Sequence, residues 1–368
     1  MPPEETGESK PAQQGRPAPV PTGVLVLGLA ACVAMLAGIA LVTGFFSAPG
    51  VPPTGSTAST GTASASAPVL SRAAIPHTPV GTVHVVVRTD AWSLAFDGTA
   101  GWLTDADTAT VRRFDPSSGR ITGTVTGVGQ RPVAVTAGGD RIWVADSVDN
   151  LVITLDPRDG RTVGAPDTVA NQPVGLVDGP GGIWVGSVLG GTVSVLDSRT
   201  GAVRASSALP DGVSSLAVGY GAVWVTGQQS SLTRVDPTPV GLVLRWRSVS
   251  VGLGPAGVAV GAGSVWVADA QSASVTRVDP ATLRVTGSWR LPDGHGGFIQ
   301  PAAIAVFGGR VWVADAVHDT VAAMDPASGA ELGTAVALPG PIRALTAGDG
   351  ALWAATSYPG AVVRIDPR

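Results

Sequence analysis

The chain has 368 residues, with 23 Lys and Arg against 27 Asp and Glu, a net charge of −4, and one Cys. That balance excludes a nucleic-acid binder, which needs a basic surface to neutralise phosphates, and a lone cysteine excludes a disulfide framework. There are 50 Gly and 30 Pro at 14% charged residues; Lys10 is the one lysine, and Glu4, Glu5, Glu8 and Glu331 are the only glutamates. Residues that favour helix are therefore scarce beyond residue 80, whereas turn formers abound.

Residues 1–22 hold Lys10, Arg16 and three glutamates, and residues 23–46 hold no charge at all. Twenty-four residues at 1.5 Å rise extend about 36 Å, enough for a hydrocarbon core of about 30 Å, so one transmembrane helix is expected over 23–46. No basic residue follows until Arg72. Lys and Arg stay on the cytoplasmic side, which makes 1–22 a cytoplasmic tail and puts the rest of the chain outside the cell membrane. Two processing routes compete with an uncleaved anchor: signal-peptide cleavage after Ser47-Ala48, and lipidation at Cys32, where Leu29-Ala30-Ala31-Cys32 resembles a lipobox. The apolar run is longer than a signal core and continues past Cys32 to Phe46, so the uncleaved anchor is preferred. Residues 47–79 are a Pro/Ser/Thr/Gly/Ala tract without apolar periodicity, read as a disordered tether with an average span of about 30 Å.

An internal repeat decides the fold of residues 80–368. Trp102, Trp143, Trp184, Trp224, Trp266, Trp312 and Trp353 are separated by 41, 41, 40, 42, 46 and 41 residues. Eight positions before each stands an aliphatic residue: Leu94, Val135, Leu176, Leu216, Val258, Ile304 and Leu345. Twelve or thirteen positions after each comes an aspartate, followed by proline at Asp115, Asp156, Asp236, Asp279, Asp325 and Asp366, and by Ser198 at Asp197. The fifth unit reads as four strands, Ala256 to Val260, Val265 to Ala268, Ser274 to Val278 and Val285 to Arg290, with Asp279-Pro280 ending the third. Four strands per unit and seven units predict an all-β, seven-bladed β-propeller. The last unit stops after its third strand, and Thr82 to Arg88 form a strand with no unit of its own, so that strand is expected to close the ring. The tryptophans are expected to pack between blades. Arg113, Arg234, Arg277 and Arg364, each two residues before an Asp-Pro, are expected in structural ion pairs.

Departures from the repeat point to a site. The 46-residue interval between Trp266 and Trp312 places extra residues at Pro292 to Phe298. That connection between a fourth and a first strand shares one face of a propeller with the sixth unit's loop between its second and third strands. Asp293, His295, Asp315, His318 and Asp319 are thereby expected on one rim. Histidine there serves as general base or metal ligand, and the carboxylates are donors for a divalent cation; no other cofactor is expected. The repeat region contains no lysine and no His-Glu-x-x-His, Gly-x-Ser-x-Gly or paired-Cys motif, which excludes several enzyme classes.

Val265-Trp266-Val267-Ala268-Asp269 and Val275-Thr276-Arg277-Val278-Asp279-Pro280 resemble the YVTN-type bacterial propeller repeats. They are also similar to the streptogramin (virginiamycin B) lyase superfamily and to propeller sensor regions of actinobacterial membrane proteins. The Arg/Ala/Gly/Pro bias looks like a high-GC genome of that kind. The resemblance covers about 80–368. It implies either a non-enzymatic module that binds a protein, a cell-wall component or a small molecule on one face, or a metal-assisted elimination with His295 as base. The first is the expected function.

Overall fold

The computed structural model describes residues 78–238 and 242–368. The expected tail, membrane helix and tether up to residue 77 lie outside the described residues. Among the described residues no helix is long and apolar enough to cross a membrane.

The chain enters as β1 (Gly81–Val87) and then builds consecutive four-stranded antiparallel sheets. Blade 1 runs from β2 (Ser93–Phe96) to β5 (Ile121–Val125), blade 2 from β6 (Pro132–Gly138) to β9 (Asp167–Thr168), and blade 3 from β10 (Pro173–Gly179) to β13 (Val203–Ala208). Blade 4 runs from β14 (Ser215–Gly219) to β17 (Leu244–Ser250), blade 5 from β18 (Pro255–Gly261) to β21 (Val285–Trp289), and blade 6 from β22 (Pro301–Phe307) to β25 (Val336–Ala337). Blade 7 takes β26 (Ile342–Gly348), β27 (Ala351–Thr356) and β28 (Ala361–Pro367) from the chain end and β1 as its outermost strand. The register from Gly81↔Pro367 to Val87↔Val362 closes the seven-bladed ring as expected. Val80 and Val87 are buried at the seam, and the Arg310 guanidinium and the Arg368 amide both donate to the Val80 carbonyl.

The seven repeated tryptophans are all fully buried. Each packs on the next blade: Trp102 against Ile142 and Val144, Trp266 against Ile304, Val311 and Val313, and Trp353 against Leu94 and Leu103. Burying an indole leaves a donor to satisfy. Six of them give the N–H to a backbone carbonyl four or five residues earlier, such as Gly138, Gly219 or Gly261, and Trp102 gives it to Asp97. The turn between first and second strands explains the fixed spacing. In blade 5, Ala262 and Gly263 have φ of 49° and 75°, the two left-handed residues that a tight hairpin with the right twist requires.

Three features depart from a uniform repeat of the fifth unit. Asp-Pro does not always end the third strand: β28 and β16 (Ser231–Pro237) run through it. Where a turn does form, the aspartate makes it, because the Asp115, Asp279 and Asp325 carboxylates cap the next two amides; Asp197, with no proline after it, does the same. These bonds hold the Asp115 carboxyl down at about 2, the Ser117 hydroxyl being the largest contributor. Second, the outermost strands β9 and β25 shrink to two residues each. Third, only two of the four arginines form ion pairs, Arg234 with Asp236 at 2.8 Å and Arg364 with Asp366 at 2.8 Å. Arg113 and Arg277 lie over Trp102 and Trp266 without such a pair, and Arg234 lies over Trp224 as well as pairing with Asp236. Arg234 and Arg277 also donate to the carbonyls of Pro280 and Pro326, stapling each blade to the Asp-Pro turn of the next.

Candidate functional site

In each antiparallel blade the loops between strands two and three, and the connections from a fourth strand to the next first strand, come out at the same end of the sheet. This face carries the five candidate site residues, Asp293, His295, Asp315, His318 and Asp319. Its foundation is a set of buried aspartates closing the second strands, Asp105, Asp146, Asp269 and Asp315. Asp146 accepts from the amides of Arg131, Val148 and Asp149, and Asp315 from those of Gln300 and Val317, so each carboxylate ties two loops together. Asp269 is less well served. One of its oxygens accepts from Thr276, the other has no partner, and burial pushes its carboxyl up to about 6.

The predicted residues converge between blades 5 and 6. Asp315 Oδ2 lies 2.7 Å from His318 Nδ1, and the His295 ring stacks on His318 with centroids 4.9 Å apart and planes at 26°. The carboxylate fixes the orientation of the His318 ring through Nδ1. Asp293 shapes the inserted loop: it accepts from the amides of His295 and Gly297, and these bonds lower its pKa. Asp319 sits at the edge, where burial and then the charge of Asp315 raise its pKa. A divalent cation finds no ready cage, since among the described residues no three His, Cys, Asp or Glu side chains are grouped to hold a metal ion.

Sequence reasoning missed a second feature on the same face. Trp92 lies between two arginines, with the Arg131 guanidinium 4.9 Å and the Arg343 guanidinium 4.5 Å from its ring. The signal was in the repeat. Trp92 and Arg343 both stand two residues before the aliphatic position, where the other units have Val133, Val174, Ser214, Ala256 and Ala302.

Exposed apolar residues are also distributed unevenly. Among the described residues, six large hydrophobic side chains are exposed on this face: Val148, Leu189, Leu253, Phe298, Val317 and Tyr358. Tyr358 is 71% and Leu189 66% accessible. Among the described residues the loops of the opposite face expose Tyr220 and Val243, and Ile121, Val203 and Val285 are exposed where fourth strands begin beside those loops. Two open concavities, of about 440 Å³ beside His84 and about 590 Å³ beside Trp246, lie on outer strands and include none of these residues.

No family model and no curated protein matches the chain. Solved structures do match the fold. Virginiamycin B lyase from Staphylococcus aureus is similar at 16% identity with a TM-score of 0.67, covering 78% of this chain and 100% of that one. The RRP9 WD40 repeats are similar at 13% identity and 0.66, covering 78% and 97%. BamB from Moraxella catarrhalis is similar at 15% identity and 0.56, covering 75% and 83%. At these identities the likeness establishes the β-propeller fold, which hosts unrelated functions.

Proposed function

We propose that the chain is a membrane-tethered, extracytoplasmic β-propeller that acts as a binding module. It takes a protein, cell-wall or small-molecule ligand on the face of the loops between second and third strands. The observation that carries this reading is the exposure of Val148, Leu189, Leu253, Phe298, Val317 and Tyr358 in the loops of this face. Large apolar side chains set out on one face give a partner surface to cover. WD40 and BamB propellers among the similar structures are compatible with a module of this kind. The tether rests on the uncharged run 23–46 and the placement of Lys10 and Arg16. Protease added to intact cells is expected to cut within residues 47–77 and release a propeller fragment, while an N-terminal tag stays protected. An intact chain after digestion under conditions that cut other exposed linkers would contradict the topology.

A second reading is favoured by the Asp315–His318 pair stacked on His295: an elimination on a streptogramin-like substrate, in keeping with the lyase among the similar structures. In this reading the imidazoles supply the base for a metal-assisted elimination. It requires a streptogramin B antibiotic to lose activity on incubation with the chain and to keep it with His295→Ala. The binding-module reading predicts no inactivation by either protein.

A further inference from the structure

We infer that Arg131, Trp92 and Arg343 form a clamp for a carboxylate, and that the face takes an acidic peptide segment of a partner protein, one Asp or Glu flanked by apolar residues. The inference rests on the binding-module reading and names its ligand. Two guanidinium groups are held against one indole, 4.9 Å and 4.5 Å from its ring. Neither arginine has an ion-pair partner among the described residues. Two cations at one ring, neither neutralised by an ion pair, favour an anion at the ring's edge that accepts charge-assisted hydrogen bonds from them.

Neighbouring carboxylates do not supply that anion. Asp146 is spent on the amides of Arg131, Val148 and Asp149, Asp149 accepts from the Gln130 side chain, and Asp90 accepts from the Tyr358 amide. The Arg343 side chain and the Arg131 backbone are held in place, which lowers the ordering cost of binding. Arg343 Nε donates to Ser357 Oγ at 3.1 Å, and the Arg131 carbonyl accepts from the Ser147 amide at 3.1 Å.

Those two bonds tie the arginines to the loops whose next residues are the exposed Tyr358 and Val148. The loops tied to the arginines thus carry exposed apolar residues on blades 7 and 2, and Leu189 is exposed on the equivalent loop of blade 3. A lone inorganic anion would use the clamp but not these side chains. A peptide with a carboxylate between apolar residues uses both.

The test is selection of a random 12-residue display library on the immobilised full chain in detergent. The expected peptides carry Asp or Glu next to apolar residues. Their affinity falls at least tenfold in Arg131→Gln and in Arg343→Gln, and replacing the peptide's acid by its amide costs the same in the wild type but little in the double variant. Peptides without acid enrichment, or binding unchanged in both arginine variants, overturn the clamp. If such binding is nevertheless lost in Leu189→Ser with Tyr358→Ser, the face reading stands and only the clamp falls; if no peptide binding depends on any of the four residues, both fall. Titration with inorganic phosphate covers the remaining occupant. Phosphate binding that needs both arginines, with no peptide selected, makes the site one for a free anion and overturns the peptide assignment.

Discussion

A chain lacking residues 78–89 has no cooperative unfolding transition. These residues are few, but β1 is the fourth strand of blade 7, paired with β28 from Gly81↔Pro367 to Val87↔Val362. Without it, β28 is left with unpaired amides and carbonyls at a sheet edge. Val80 and Val87 leave the core, and Arg310 and Arg368 lose the Val80 carbonyl. At a net value of about 0.5–1.5 kcal/mol per hydrogen bond, the lost ladder alone amounts to several kcal/mol against a typical total of about 5–15. The larger loss is topological. The strand joins the start of the chain to its end, so its removal turns a closed ring into an open array in which blades 7 and 1 can part. Near-ultraviolet circular dichroism of the seven buried indoles during heating reads this directly, and an unchanged melting transition would refute the closure.

Trp266→Ala is expected to destabilise the propeller by about 3–5 kcal/mol, the range for deleting a large buried aromatic side chain. Trp266 is fully buried, packs on Ile304, Val311, Val313 and Met324, and donates its N–H to the Gly261 carbonyl at 3.1 Å. The cavity opens between blades 5 and 6, where two sheets meet side chain to side chain. Trp246→Ala is the control of the same chemistry at another address: on the outer strand β17, 40% accessible, its loss is expected to cost less than about 1 kcal/mol. Urea unfolding of the two variants side by side measures the difference. Equal destabilisation would mean that the repeated tryptophans are not the contacts that hold neighbouring blades together.

Blade number, strand order and closure were legible because packing repeats. Every blade presents the same faces to its neighbours, so Trp, the aliphatic eight residues earlier and the turn aspartate recur at a fixed period. The shortened β9 and β25 were not legible, because an outermost strand has a partner on one side only and places little demand on sequence. The arginines before Asp-Pro were half read. Arg113, Arg234 and Arg277 all lie over an indole, but of the four arginines only Arg234 and Arg364 reach an aspartate, a difference set by side-chain geometry rather than spacing. The Asp293, His295, Asp315, His318 and Asp319 cluster was legible because an insertion lengthens one interval to 46 residues. Trp92 and Arg343 lengthen nothing. They exchange residue type within the register, and only the curvature of the ring brings them together with Arg131 from a third blade.

The central claim, that ligands meet the propeller on the face bearing Tyr358 and Leu189, is tested most directly by position-specific photocrosslinking in intact cells. A photoreactive residue at Leu189 or Tyr358 is predicted to yield a discrete covalent adduct, and one at Tyr220 on the opposite face none. Adducts of equal yield from both faces, or from Tyr220 alone, would contradict the account.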